Sequence, residues 1–274
     1  MSESHTASSV GHQLLRKVPQ ITIFFWVIKV LCTTVGETAA DFLSTSLNLG
    51  LTTTTWIMSA LLIFVLFFQF KSKKYVPGLY WLVVVLISIV GTQITDNLTD
   101  NLGVSLATTT IIFSIVLAVV FAVWFLIEKT LSIHSIYTRQ REAFYWLAIL
   151  FTFAVGTAAG DLVAEKFALG YLTALGIFAG LIAVVTAAHY IFKAILGMEH
   201  RHFSRNAVLA FWLAYILTRP LGASIGDYLS QAQSDGGLGL GTVVTSAIFL
   251  GAILLTVIYL TVTKKDVDKT KALA

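Results

Sequence analysis

One short pattern recurs four times in this chain of 274 residues, and it constrains the fold more than any other feature. A tryptophan is followed ten residues later by a glycine, and five residues after that by an aspartate. The four copies are Trp26-Gly36-Asp41, Trp81-Gly91-Asp96, Trp146-Gly156-Asp161 and Trp212-Gly222-Asp227. Four coincidences of one spacing indicate an internal tandem repeat, so the fold must combine four similar units.

The composition places these units in a membrane. Only 12% of the residues are charged, whereas a soluble domain has about 25%. The mean hydropathy is +0.86, and several apolar stretches of about 20 residues are long enough to cross a bilayer. Basic loops of a membrane protein explain the net charge of +4, so we expect the lipid bilayer as a partner and no nucleic acid.

Each repeat has room for two spans. We therefore predict an all-α fold, a polytopic membrane bundle of eight transmembrane helices from four parallel two-helix repeats. The longest connector, 128–142, predicts two halves of two hairpins each. The predicted domains are a polar tail (1–17), one membrane domain (18–262, with repeats at about 18–75, 76–130, 140–197 and 205–262) and a second polar tail (263–274).

The basic residues predict the orientation. Fifteen of the 18 lysines and arginines lie in the two tails and in or beside the three connectors between repeats. Loops rich in lysine and arginine stay in the cytoplasm, so both termini are predicted to be cytoplasmic. Lys29 and Arg219 are the two basic residues that fall inside spans.

The carboxylates are the main functional signal. Each repeat aspartate lies about 22 Å along its helix from the repeat tryptophan, so all four should share one depth in the outer half of the membrane. A charge at the bilayer centre costs about 2.5–3.5 kcal/mol, and such groups face the bundle interior or a water-filled cavity. Glu37 lies one turn before Asp41 on the same helix face. The predicted substrate or ion site, and the hypothetical metal ligands, are Glu37, Asp41, Asp96, Asp161 and Asp227.

Other residues rank second at this site. Thr92 and Thr157 occupy the position of Glu37 in the second and third repeats, while Asp100 and Glu165 follow a repeat aspartate by one turn. Lys29 and Arg219 are candidate counter-ions, although Lys29 could also extend to the interface. The carboxylates could instead cap helices or hold neighbouring repeats together.

The repeated glycines and tryptophans also have structural interpretations. Glycine allows helices to approach closely in a membrane, or it breaks a helix so that carbonyl groups reach a ligand. The tryptophans are expected to anchor the bundle at the membrane interface.

Motifs of familiar enzymes are missing. The sequence contains no phosphate-binding P-loop, nucleophile elbow or H-E-x-x-H motif, so we predict no enzyme activity and no resident cofactor. A single cysteine, Cys32, excludes an intrachain disulfide and a cysteine-rich metal site. Sequence alone assigns no role to His189, inside a span, or to the pair His200 and His202 in a connector.

The repeat pattern resembles a known family. Four tandem units of two spans, each with a tryptophan near its start and an aspartate downstream, resemble the bacterial "repeat of unknown function" membrane proteins. The opening stretch VPQITIFFWVIKVLCTTVGETAADFL carries most of the likeness, which extends over residues 18–262. The resemblance implies an integral protein of the bacterial inner membrane. It implies neither a substrate nor catalytic residues.

Three functions fit these residues. A secondary transporter that exports a hard divalent cation such as Mn²⁺ would use the all-oxygen ligand set. A proton-coupled transporter of a small organic solute would use the carboxylates as proton carriers. A structural or signalling membrane protein would need them only to join the repeats. The sequence leaves open whether a second copy of the chain, in a homodimer, completes the site.

Overall fold

A computed structural model describes residues 16–195 and 200–267. Most of the two predicted polar tails, residues 1–15 and 268–274, lies outside this part of the chain. The described residues form no strand and contain eight long helices, α1 (Ile23–Asp41), α2 (Leu51–Lys71), α3 (Pro77–Asp96), α4 (Leu106–Glu128), α5 (Arg139–Asp161), α6 (Tyr171–Ile195), α7 (His200–Ser230) and α8 (Thr242–Thr263).

All eight helices in the described residues are long and apolar enough to cross a membrane, which confirms the predicted all-α bundle. A π-helical turn extends the first helix in each of three repeats, over Phe42–Ser46, Asn97–Asn101 and Leu162–Lys166. The turn to the second helix then contains a glycine with positive φ in every repeat, a conformation that glycine adopts without steric cost. These glycines are Gly50, Gly103, Gly170 and Gly241.

The first helices of the four repeats form a closed inner ring. α1 packs on α3, α3 on α5, α5 on α7, and α7 on α1. The ring is parallel, since Tyr80 and Tyr145 meet near the starts of α3 and α5, while Thr95 near the end of α3 donates to the carbonyl of Ala154. The ring therefore has a tryptophan end, where α1, α3, α5 and α7 begin, and an aspartate end, where the repeat aspartates lie.

The packing of the outer helices differs from that of the predicted hairpins. α2 packs on α3, α4 on α5, α6 on α7 and α8 on α1, so each outer helix packs on the inner helix of the following repeat. The predicted division into two four-helix halves is wrong, because the ring is continuous across the 128–142 connector. Connector length does not decide this packing. The continuous packing of each inner helix on the next one decides it.

The repeat glycines set those contacts. A Cβ atom on Gly36 would lie 1.7 Å from Ser88 Oγ, and one on Gly91 would lie 2.6 Å from Phe153 Cβ. The other two glycines follow the same register. A Cβ atom on Gly156 would lie 2.4 Å from Arg219 Cγ, and one on Gly222 would lie 1.7 Å from Thr33 Oγ1. In all four, the partner lies three residues before the glycine of the next repeat. The helices continue through these glycines, so they serve close packing and not a helix break.

The tryptophan end is filled by aromatic side chains. Trp81, Trp146 and Trp212 are only 2–4% exposed, and Trp212 Nε1 donates to the carbonyl of Leu131 at 2.9 Å. The predicted role as interface anchors is wrong for these three residues. Parallel packing brings residues of equal register together, so the rings pack against one another inside the bundle and close this end.

A buried polar network covers the same end. Lys17 Nζ lies 2.6 Å from Glu142 Oε2, with both side chains almost fully buried, and Gln69 Nε2 donates to Glu142 Oε1 at 2.9 Å. Nearby, Tyr75 Oη donates to Asp266 Oδ2 at 2.6 Å. These contacts hold the chain ends against the connectors between repeats.

Gly91→Ala should destabilise the bundle, because its methyl group would overlap Phe153 Cβ. Overpacking of this kind costs about 1–3 kcal/mol. Gly251→Ala is the matched control, since nothing lies within 4 Å of a Cβ at that helical position, and alanine there should be neutral or slightly stabilising. Thermal unfolding in detergent measures both variants, and equal melting temperatures would contradict the close-packing role.

Asp266→Asn should change how stability depends on pH. Burial raises the pKa of Asp266 despite the bond from Tyr75, so the folded protein favours the neutral acid more than the unfolded chain does. The contribution of Asp266 to the stability of the folded protein is complete below the pKa of the unfolded chain, about 4. This contribution is lost as the pH rises through the higher pKa of the folded protein. The asparagine variant cannot ionise and still accepts the bond from Tyr75.

The melting temperature of Asp266→Asn should therefore exceed that of the parent at pH 8, and the difference should shrink towards pH 4. Asp235→Asn, at an exposed carboxylate, is the control and should follow the parent. A difference that grows as the pH falls would show that the sign is wrong.

Candidate functional site

The centre of the inner ring contains one fully buried guanidinium group, that of Arg219. Its Nη2 atom donates to Glu37 Oε2 at 2.6 Å, to Thr157 Oγ1 at 2.7 Å and to Thr92 Oγ1. Its Nη1 atom donates to the carbonyl of Thr33 at 3.2 Å. One side chain of the fourth repeat thus bonds to the other three repeats.

Repeat symmetry explains this arrangement. Glu37, Thr92 and Thr157 each directly follow a repeat glycine, while the fourth repeat has Ala223 at this position. The ring brings equivalent positions to one level, so three oxygen-bearing side chains meet around Arg219. Gly156 provides the space, because a Cβ there would overlap the arginine side chain.

The ion pair between Arg219 and Glu37 is buried at the centre of the inner ring, where Nη2 lies 2.6 Å from Oε2. The Arg219 side chain is 0% exposed and that of Glu37 is 9% exposed. Removing one partner of a buried pair leaves an uncompensated charge and costs about 3–5 kcal/mol. Each member of the pair therefore depends on the other for its burial.

The four repeat aspartates lie about one helical turn beyond this centre. Asp41, Asp96 and Asp161 end α1, α3 and α5 and are partly exposed, whereas Asp227 lies within α7 and is 8% exposed. Within residues 16–195 and 200–267, none of the four forms an ion pair.

Polar groups around the aspartates are few. Gln231 Nε2 approaches Asp41 Oδ2 at 3.4 Å, a contact that the sequence did not indicate. Asp100 and Glu165 are exposed and lie further towards the aspartate end, and Asp100 accepts a bond from its neighbour Thr99. These two carboxylates lie at the exposed aspartate end and do not touch Arg219.

Lys29 lies on the other side of Arg219, towards the tryptophan end. It is fully buried, and its Nζ lies 4.1 Å from the ring centre of Phe153 and 4.3 Å from that of Tyr215. The described residues give it neither a hydrogen bond nor a carboxylate partner. Lys29 is not a counter-ion of Asp41, because it lies about 18 Å from that residue along α1. It does not extend to the membrane interface either, because its side chain faces the interior of the bundle.

Metal-ligand geometry is not preformed in this conformation. Among the described residues, no group of three or more histidine, cysteine, aspartate or glutamate side chains could hold a metal ion. The carboxylates share one level of the ring, but they do not converge on one point. His189 lies on the outer helix α6, and the side chains of His200 and His202 lie outside the described residues.

Thr157→Val should destabilise the centre, because it removes one acceptor of the buried guanidinium while keeping the side-chain shape. A hydrogen bond from a charged group contributes about 1.5–3 kcal/mol to stability. Glu37 and Thr92 still accept from Nη2 in this variant, so we expect a loss at the lower end of that range. Thr186→Val on α6 is the control, since that exposed hydroxyl bonds only to the carbonyl of Ile182 in its own helix. Thermal unfolding in detergent compares the two, and a Thr157 variant as stable as the control would contradict the arrangement.

Comparison with known proteins agrees with the repeat architecture. The family model described as "Repeat of Unknown Function (DUF347)" matches four times in tandem, at residues 24–75, 79–130, 144–194 and 210–266. No curated protein and no solved structure matches the chain. The four matches cover most of the sequence and coincide with the four units of the ring. The chain therefore belongs to the DUF347 repeat family.

Proposed function

We propose that the protein is a secondary transporter that exports a hard divalent cation such as Mn²⁺ in exchange for protons. The observation that carries this proposal is the charge imbalance inside the ring. Glu37 contacts the one guanidinium group, that of Arg219, and four further carboxylates, those of the repeat aspartates, lie about one helical turn beyond it.

Such an imbalance needs neutralisation. Isolated charges are strongly disfavoured away from water, and charged groups within membrane spans pair with one another or mark an ion pathway. Arg219 balances one carboxylate, so the remaining ones need protons or bound cations. A site whose carboxylate oxygens bind either protons or a cation supports exchange, because a cation that binds there displaces the protons from these oxygens.

The ligand chemistry favours a hard cation. Carboxylate and hydroxyl oxygens suit Mg²⁺, Ca²⁺ and Mn²⁺, whereas thiolate and imidazole ligands suit copper and zinc. Glu37, Thr92 and Thr157 provide oxygens at the centre, and the repeat aspartates provide them one turn beyond. Cys32, the one cysteine of the chain, lies with Lys29 on the opposite side of Arg219.

The closed tryptophan end supports an alternating-access cycle. The aromatic cluster and the pair Lys17–Glu142 seal that end, while Asp41, Asp96 and Asp161 remain partly exposed at the other. The distribution of lysine and arginine supports a cytoplasmic tryptophan end, with both termini in the cytoplasm of a bacterial inner membrane. Protons that enter along their gradient would then drive the cation outwards.

One observation favours a second candidate. Because no metal-binding group is preformed among the described residues, the carboxylates could serve only as proton carriers. The protein would then be a proton-coupled transporter of a small organic solute, with Arg219 as the cationic partner of the carboxylates.

Transport in proteoliposomes separates these functions. Purified protein should move Mn²⁺ saturably when a proton gradient is imposed, with Mg²⁺, Ca²⁺ and Zn²⁺ tested in parallel. Asp41→Asn should slow the movement by at least about tenfold, the equivalent of about 1.4 kcal/mol. Asp235→Asn, which changes an exposed carboxylate in the turn between α7 and α8, should leave it unchanged.

Two results would contradict cation transport. Asp41→Asn protein that moves Mn²⁺ as fast as the parent would remove the repeat aspartates from the pathway. A folded parent that moves none of the four metals, but shows pH-driven uptake of a solute, would favour the second candidate. Loss of folding in Asp41→Asn without any flux in the parent would indicate a structural role for the carboxylates.

A further inference from the structure

We propose that Nη2 of Arg219 occupies the central cation site, so that this arginine is a tethered cation that competes with the transported ion for Glu37. The inference rests on the proposed transport of a cation, and it assigns a binding site distinct from the ring of repeat aspartates. The site consists of Glu37 Oε2, Thr92 Oγ1 and Thr157 Oγ1, one oxygen from each of three repeats.

The oxygens are arranged as for a cation. The hydroxyl of Thr92 donates to the carbonyl of Ser88 at 3.0 Å, and that of Thr157 donates to the carbonyl of Phe153 at 3.0 Å. Each hydroxyl proton is therefore directed to its own helix, and the lone pairs remain for the centre. With the carboxylate of Glu37, all three groups offer acceptors only, as the ligands of a hard metal ion do.

Packing alone does not explain the guanidinium. The three positions equivalent to Arg219 carry Thr33, Ser88 and Phe153, and their helices pack in the same register without a charge. The Nε atom of Arg219 is buried without a hydrogen-bond partner, while three oxygens crowd around Nη2 alone. This uneven use of the donors indicates that the surrounding oxygens are arranged for a compact cation and not for a planar guanidinium.

A second partner for the arginine is close by. The repeat aspartates lie about one helical turn beyond Glu37, and Asp41, Asp96 and Asp161 have no ion-pair partner among the described residues. Arginine does not release its proton in proteins, so it stays a cation throughout a transport cycle. An ion that binds Glu37 would displace the guanidinium towards these aspartates, and the departure of the ion would let it return. Glu37 would then have a cationic partner at every stage of the exchange.

Metal binding to the full chain in detergent tests this competition. Arg219→Gln removes the tethered cation, so Mn²⁺ should bind at least about tenfold more tightly and should raise the melting temperature more than it does in the parent. Arg219→Gln combined with Glu37→Gln should lose this gain. Isothermal titration and thermal unfolding with and without MnCl₂ provide the two readouts.

The control is a second arginine–glutamate pair at the tryptophan end. Arg141 Nε lies 2.6 Å from Glu128 Oε2, and Arg141→Gln should leave Mn²⁺ binding as in the parent. If Arg219→Gln folds only in the presence of Mn²⁺, the metal replaces the guanidinium and the inference is supported. Failure to fold under both conditions would mean that Arg219 has a structural role that a metal cannot take over, and it would overturn the inference.

Other outcomes separate this inference from the proposed function. If the parent transports Mn²⁺ but Arg219→Gln binds it no more tightly, only the competition is wrong. If the double variant keeps the gain of Arg219→Gln, Glu37 is not a ligand and the site is overturned. If the parent transports no metal and neither variant binds one, both the proposed function and this inference fail.

Discussion

The close approach of four parallel helices at their repeat glycines is the constraint on which the rest of the bundle depends. A side chain at any of these positions would overlap the next helix of the ring. Because the helices lie so near one another, residues beside the glycines reach the same central point. Arg219 of the fourth repeat can thus contact Glu37, Thr92 and Thr157 at once. Without these glycines the ring would widen, and the guanidinium would lose its partners.

The parallel arrangement also gives the two ends opposite chemistry. Every repeat begins with aromatic residues and ends with a carboxylate, so fourfold repetition gathers rings at one end and acids at the other. The rings pack into a dry closure that includes Trp81, Trp146 and Trp212. The acids lie around the other end of the ring, where Asp41, Asp96 and Asp161 remain partly exposed and Asp227 is buried. A single unit with this polarity would be unremarkable in a membrane protein, whereas four in parallel create a closed end and a strongly negative end.

Breaks in the symmetry concentrate at the centre. Three repeats place an oxygen after the glycine, but the first has the carboxylate of Glu37 where the others have a hydroxyl or, in the fourth, the methyl group of Ala223. The fourth repeat alone has an arginine three residues before its glycine. This arginine keeps its positive charge, whereas the negative charge of a carboxylate can be neutralised by a proton or by a metal ion. The proposed exchange of cations for protons depends on this difference.

The sequence by itself determined the membrane location, the eight helices, the fourfold repeat and the common depth of the aspartates, because hydropathy and residue spacing along a helix are local properties. It also indicated that Glu37, Thr92 and Thr157 are equivalent. Only the tertiary structure decided that the outer helices pack on the next repeat, that the tryptophans are buried, that Lys29 faces aromatic rings and that Arg219 pairs with Glu37. These features depend on contacts between residues up to 186 positions apart, and such contacts arise only when the first and last repeats close the ring.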